Sequence, residues 1–331
     1  MPAMPHPTVT RLCARAVIEP GTVPGYGPIF NAGLLYENDR FHLFARGVRE
    51  GYLRNPGAGP RFLDYRSDVL MFSSSDGVDY EFEYVLAAGS EVGVWSYEDP
   101  RVQRVLDADG VTQLFMTYTD LPAPEEDLTW RIGIHRIVFD GSRIQLNRDS
   151  GRVIGPPGTP DKDAVVFNLS DGRVALIHRA HHDIQLAIFD SVDDLLSPDP
   201  GYWDRHMSTI SEHTIIRPSP RGAGVGAGAP PIATESGLLF FYHERSSESV
   251  YDARVCLLDP ATARVVATVP EPVLVPELSW ECHGEVDNVV FVQGAHSLGD
   301  GRIYVTYGAG DQAVGVGVIE EQAILDALIE V

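Results

Sequence analysis

Lysine is almost missing from this 331-residue chain: it occurs once, at Lys162, and every other basic side chain is arginine. Cysteine is scarce too. Cys13, Cys256 and Cys282 show no CxxC spacing, which argues against a zinc site and against a disulfide framework. Long apolar runs are absent, and no window approaches the roughly 18 consecutive apolar residues of a membrane-spanning helix. Met1–Pro20 lacks a charged segment followed by an apolar stretch. No secretory leader is therefore expected, and a cytoplasmic location is. Positive charge is in deficit: the net charge is −22. That acidity opposes binding to nucleic acid or to an anionic membrane, both of which need a basic surface. A cluster of cations in this chain would stand against the general field.

Hydrophobic residues make up 44% of the chain, enough for a sizeable core. One unit recurs five times, opening at Asn31, Asp99, Asp163, Ala229 and Asn288. Each copy continues as a short apolar strand, a turn and a second strand. The turns are Asn38-Asp39, Asp107 to Gly110, Asp171-Gly172, Ser236-Gly237 and Asp300-Gly301. A third apolar strand follows at Asp68 to Phe72, Ile132 to Val138, Ile184 to Phe189, Ala253 to Leu258 and Ala313 to Ile319. A period of roughly 65 residues is too long for short-repeat solenoids and suits four-stranded blades with long loops. The expected fold is all-β: a single five-bladed β-propeller over 1–331, with blades at about 25–95, 96–158, 159–222, 223–282 and 283–320. Apolar residues at helical spacing (Ala323, Ile324, Ala327, Leu328) predict a short C-terminal helix over 320–330.

In a propeller the first strand of every blade lines the axis, so equivalent residues converge. The opening column is Asn31, Asp99, Asp163, Ala229 and Asn288. Four hydrogen-bonding side chains there point to a polar axial cavity, because a strand entering a core would otherwise begin with something less costly to bury. A second column, at the end of the next strand, is Arg46, Tyr118, His178 (with Arg179), His243 and Tyr307. Carboxylates beside cations in one pocket suit acid catalysis on a sugar or a phosphate-bearing substrate. In Tyr97-Glu98-Asp99-Pro100-Arg101, strand alternation lets only one of the adjacent acids face the cavity, and the repeat register selects Asp99. Arg101 is placed to share its face. Trp95, Tyr97, Trp130, Trp203 and Trp280 are available either to the core or to stack on sugar rings. His181-His182 beside Asp183 does not read as a metal site, since adjacent side chains in an extended segment diverge.

These residues together resemble glycoside hydrolase family 130, five-bladed propellers acting on β-mannosides. The resemblance runs from about Gly27 to Ile319. It is carried by Phe30-Asn31 with Phe41 to Arg46, Glu98-Asp99-Pro100-Arg101, Lys162-Asp163-Ala164-Val165, Ile177-His178-Arg179, Gly226 to Ile232, Tyr242-His243, Asn288 to Phe291 and Tyr307 to Asp311. It implies an inverting enzyme with one essential acid, matching Asp99, that protonates the leaving oxygen through the mannose 3-hydroxyl. In the family's phosphorylases inorganic phosphate attacks the anomeric carbon and gives α-mannose 1-phosphate. The phosphate-binding positions match Arg179, His243 and, for a nearby tyrosine, Tyr251. Asn31, Arg46, Asp163 and Asp311 match sugar- and phosphate-contacting positions; Arg101, Lys162 and Asn288 complete the expected substrate contacts. No cofactor is implied beyond phosphate as co-substrate, and the partners are a β-mannoside oligosaccharide and phosphate. The oligomeric state stays open, a homo-oligomer included.

The sequence departs from the family at Gly224, where the phosphorylases commonly carry a lysine; Arg221 is a nearby substitute. Asp287-Asn288 stands where Pro-Asn is usual. Members that use water need a carboxylate base, and Glu285 or Asp287 is placed for that role. Phosphorolysis is thus the first expectation, an inverting β-mannosidase the second, and a propeller that only binds carbohydrate the third.

Overall fold

The computed structural model describes residues 6–57, 61–90, 93–122, 130–140, 143–180 and 182–331. Five antiparallel blades stand around one axis, and a two-stranded ribbon pairs Leu53–Arg54 with Phe62–Leu63 beside blade I. Blade I runs Tyr26–Glu37, Arg40–Arg49, Ser67–Ser74, Glu81–Ala87 from axis to rim. Blade II is Ser96–Leu106, Thr112–Leu121 and Arg131–Asp140, with Arg143–Leu146 and Arg152–Ile154 sharing its outer edge. Blade III is Lys162–Asn168, Val174–Arg179, Ile184–Phe189, Thr214–Ile216. In blade IV, Gly222–Ala227 and Ile232–Thr234 both pair with Gly237–Ser246, followed by Tyr251–Leu258 and Val265–Thr268. Blade V is Val290–Ser297, Arg302–Ala309 and Ala313–Glu320.

Local chemistry explains the hairpins. The blade I turn puts Asn38 and Asp39 at φ 52 and 57, and the later turns put Gly110, Gly172, Gly237 and Gly301 at positive φ. Only Gly, Asn and Asp visit that region readily, so these residues mark where each inner strand reverses. The middle strands are covered on both faces by neighbouring blades: Ser67–Ser74 is buried at every position. Five hydrophobic clusters fill the wedges between blades.

The termini close the ring, which the repeat did not disclose. Thr10–Arg11 pairs with Ala313–Glu320 as the fourth strand of blade V. Ile329–Glu330 adds to the rim of blade IV, after a helix Glu321–Ala327 that buries Ile324. The helices Tyr202–Ser208 and Ile210–His213 form an insertion between the third and fourth strands of blade III. No helix among the described residues is long and apolar enough to cross a membrane.

Candidate active site

Three members of the opening column, Asn31, Asp99 and Asp163, sit in bulges. Asn31, Asp99, Asp163 and Asn288 have φ of 46, 48, 55 and 58. In blade I the pairing steps from Phe30↔Arg46 to Gly33↔Phe44; in blade II from Glu98↔Thr119 to Arg101↔Thr117; in blade III from Lys162↔Arg179 to Val165↔Ile177. Each step inserts one residue on the inner strand. Asn and Asp tolerate this left-handed backbone at little cost, and their side chains are thereby turned to the axis.

The bulge corrects one expectation. Alternation was to leave only one of Glu98 and Asp99 facing the cavity, but the left-handed residue resets the alternation and both reach Arg46. Arg46 pairs with Glu98 through Nη2 and with Asp99 Oδ1 through Nη1 at 3.3 Å, and its Nε donates to Ser67 Oγ at 3.2 Å. Asn31 Nδ2 donates to the same Asp99 Oδ1 at 2.8 Å. Asp99 Oδ2 takes no hydrogen bond from a described residue. The rings of Phe30 and Tyr65 flank the Arg46 guanidinium at 4.9 and 5.6 Å. Burial and the nearby Asp99 raise the Glu98 carboxyl, with Arg46 opposing. Burial raises Asp311 to about 6, Asp99 adding to the shift and Arg46 resisting it. This end of the site therefore gathers three carboxyl groups about one arginine.

The other end is cationic. Asp163 lies between Arg101 (3.2 Å) and Arg179 (3.1 Å). Burial alone would raise its carboxyl, but Arg179, Arg101 and Lys162 outweigh burial and hold it well below the usual range. His243 is buried and pushed down to about 3, chiefly by burial; Asp163 opposes the shift and Arg179 and Arg101 add to it. The imidazole is thus neutral near pH 7, and its buried Nδ1 has no hydrogen-bond partner among the described residues. Burial and Arg179 lower Lys162, whose Nζ lies 4.7 Å from the Trp130 ring centroid. Lys162, Arg179, His243, Arg245, Tyr251 and Trp130 line a cavity of about 380 Å³, with Gly224 and His182 also on its wall. Gly226 makes the arrangement possible: a Cβ there would collide with His243 Cε1 and Asp163 Oδ2.

The remaining expected residues separate into groups. Arg101 is wholly buried beneath the cavity, donating to Gly228 O (2.8 Å), Ala227 O (2.5 Å) and Asp99 O (3.1 Å). Its guanidinium occupies the entrance of blade IV, which explains why that blade opens on buried Ala229. Asn288 is half-buried before blade V and takes the Tyr251 N–H on its carbonyl at 2.9 Å. Glu285 accepts from Tyr52 Oη (2.6 Å) and Arg54 (2.9 Å), and exposed Asp287 accepts from Gly284 N at 3.2 Å.

The second column needs correction. Tyr118 stacks near Tyr97 in the wedge between blades I and II, Tyr307 donates to Glu281 behind Trp280, and His178 turns outward to Asp161. The bulge shifts the register, so the residue opposite the axis is Arg46, Thr119 or Arg179 in blades I to III. Of the five singled-out aromatics, Trp130 alone lines this cavity. Arg221 is exposed and off the cavity wall; the cation opposite Gly224 is Arg245, its cross-strand partner. Glu98, Tyr65 and Arg245 were not anticipated. The left-handed preference of the Asn/Asp column was the signal that could have exposed Glu98.

A larger cavity of about 860 Å³ lies off the axis between blades I and II, lined by Tyr84, Tyr118, Asp120, Arg131 and Arg143 among others. Arg131, Arg143, Arg148 and Arg152 line it, but Asp120 is the one acid among its described lining residues and is paired with Arg131 at 2.6 Å; it lacks the carboxyl cluster that faces the cations at the axis, and the candidate site is therefore placed there. No group of three metal-ligating side chains occurs among the described residues; His181 and the segment 123–129 lie outside them.

Comparison with known proteins follows the same lines. A family model described as beta-1,4-mannooligosaccharide phosphorylase, that of glycoside hydrolase family 130, matches residues 7–330. The β-1,2-mannobiose phosphorylase of Thermoanaerobacter sp. (strain X514) is 31% identical over 317 residues, covering 89% of this chain and 91% of its own. The 1,2-β-oligomannan phosphorylase of the same organism is 29% identical over 306 residues, with coverage of 89% and 91%. The solved structure of β-1,2-mannobiose phosphorylase from Listeria innocua, in complex with β-1,2-mannobiose, superposes with a TM-score of 0.77 at 20% identity, covering 96% of this chain and 98% of that one.

Proposed function

The chain belongs to glycoside hydrolase family 130, the mannoside phosphorylase family, and from that premise we propose that it cleaves β-1,2-mannosidic bonds of manno-oligosaccharides by inverting phosphorolysis, releasing α-mannose 1-phosphate. The observation that carries this reading is the cationic cavity beside Asp99: Lys162, Arg179 and Arg245 converge with neutral His243 in a protein of net charge −22. A hydrolase has no use for three cations where water would attack. A phosphate dianion needs them, since it is already a nucleophile and requires positioning more than a base. The linkage rests on the two relatives matched over most of their length, both of which are named for β-1,2-mannosides.

In this scheme Asn31 and Arg46 hold Asp99 by Oδ1, leaving Oδ2 for the mannose 3-hydroxyl. The Asp99 proton passes to O3 as the O3 proton passes to the glycosidic oxygen. The C1–O bond breaks as a phosphate oxygen bonds to C1 from the opposite face. The leaving sugar keeps the proton, and phosphate restores the one Asp99 lent. Arg101 is a positioning residue, fixing Asp163 and the Asp99 carbonyl from below. Asp163 in turn orients Arg179, and Arg245 supplies the charge that Gly224 lacks. Glu285 is held by Tyr52 and Arg54 and serves the rim of the site.

Incubating the protein with β-1,2- and β-1,4-mannobiose, with and without phosphate, tests the reading by detection of α-mannose 1-phosphate. We expect it from the β-1,2 substrate only when phosphate is present. Free mannose at equal rates in both conditions would instead establish hydrolysis. Asp99→Asn is expected to lower kcat by about 10³-fold with an unchanged melting temperature; near-normal turnover of that variant would remove Asp99 from its role.

A further inference from the structure

Behind the cavity runs a line of buried side chains that this chemistry does not use. Asp161, 2% exposed, accepts the Arg179 backbone N–H on Oδ1 at 3.0 Å and His178 Nδ1 on Oδ2 at 2.8 Å. His178 is fully buried, and its Nε2 lies 3.1 Å from Nε2 of His206. His206 belongs to the inserted helix Tyr202–Ser208; its ring stacks on His213 of the next helix at 4.1 Å and meets Trp203 edge-on at 5.3 Å. The line thus leads from the cavity wall, which Asp161 helps to form, to the helical insertion of blade III.

The proton positions follow from the partners. A carboxylate only accepts, so His178 donates from Nδ1, and one of the two facing Nε2 atoms donates to the other. Burial, with His178 and His213 nearby, pushes His206 down to about 3, so it is the neutral member of that contact.

Asp161 also ties together the two strands that carry two of the cavity's cations, Lys162 and Arg179. Lys162 and Arg179 are cross-strand partners. The Asp161 N–H donates to Trp130 O at 2.9 Å, and the Trp130 ring is the platform for Lys162 Nζ. A buried carboxylate oxygen stripped of its donor would seek the nearest cations, and those are the ones phosphate needs.

On the premise that the cavity takes phosphate, we infer that Asp161, His178 and His206 form a positioning relay that sets the anion affinity of the site. His178 holds the Asp161 carboxylate off the Lys162 ammonium and the Arg179 guanidinium, so that it does not compete with the ligand for them. The inserted helices fix His178 in turn. The relay resembles the outer-shell carboxylate–histidine pairs of metal centres in logic, with an anion in place of the metal.

The test uses two substitutions at one position. His178→Leu removes the donor to Asp161, whereas His178→Asn keeps a donor close to where Nδ1 lies. Initial rates are measured against inorganic phosphate at saturating β-1,2-mannobiose. For His178→Leu we expect the phosphate KM to rise about tenfold while kcat and the mannobiose KM stay within about twofold. His178→Asn should return most of the phosphate affinity. Should His178→Leu fail to fold, His206→Leu removes the outer partner alone and is expected to raise the phosphate KM about threefold. Loss of kcat and both KM values together, or an unchanged phosphate KM in the leucine variants, would overturn the relay. A wild-type protein whose turnover ignores phosphate overturns the phosphorolysis reading first, and the relay with it.

Discussion

Asp311 is a carboxyl group whose charge changes close to neutral pH. Burial and Asp99 raise it to about 6 while Arg46 resists. Its folded value lies above its unfolded one, so the stability it contributes is complete below the unfolded value and is lost as pH rises through about 6. Asp311→Asn fixes the neutral form. The variant is expected to melt about 2–5 °C above wild type at pH 7.5, with the gap narrowing toward pH 4.5. Its kcat/KM should fall about tenfold, and the limb of the pH–rate profile near 6 should disappear. A gap that widens toward acid would reverse the sign and refute the assignment. Single residues of this kind were partly legible. Asn31, Asp99, Asp163 and Asn288 were readable as a column because a left-handed bulge strongly favours Asn or Asp. Glu98 was not, because strand alternation holds only where no residue is inserted.

At the scale of elements, the site depends on how closely two inner strands approach. Gly226 on blade IV faces Asp163 on blade III and His243 on its own neighbouring strand. Gly226→Ala places a methyl group against both, and neither can yield: Asp163 is held by Arg101 and Arg179, and His243 packs on Phe291 at 4.2 Å. The expected outcome is a rise of about tenfold or more in the phosphate KM, with a melting temperature lowered by a few degrees. Steady-state kinetics at saturating mannobiose checks it; a normal phosphate KM would mean that this approach does not shape the cavity. The inner hairpins and third strands were legible because Gly, Asn and Asp turns punctuate apolar runs at a regular interval. The second column was legible at Arg46, Arg179 and His243 but not at Tyr118 or His178, where a bulge displaces the partner strand by one residue and brings Thr119 and Arg179 opposite the inner strand instead. The helical insertion of blade III escaped because its helices are too short for periodicity to declare them.

For the whole molecule the decisive feature is how the ring closes. The N-terminal strand pairs with blade V through Thr10 with Val318 and Arg11 with Gly317, and Leu12, Val17 and Ile18 add single backbone bonds to Val316 and Val314. So short a pairing leaves no alternating pattern, which is why the repeat accounted for five units without revealing what joins the last to the first. One side chain adds a buried ion pair to it. Arg11 binds Glu281 at 2.7 Å and Glu277 at 2.8 Å, and Glu281 is wholly buried, taking further hydrogen bonds from Tyr307 and two backbone N–H groups. Burial alone would raise the Glu281 carboxyl; the hydrogen bonds from Arg11 and the backbone reverse that and hold it low. Its contribution is therefore present above the unfolded value and is lost as pH falls through the folded one. Arg11→Ala leaves the carboxylate buried without its cation, at a cost of about 3–5 kcal/mol. We expect a clear drop in melting temperature at pH 7.5 that shrinks as acid protonates Glu281 in the variant, while kcat/KM below the transition stays near wild type because the closure lies at the rim. A variant that melts with wild type at pH 7.5 would show that the ring is held by the packing of blades I and V alone.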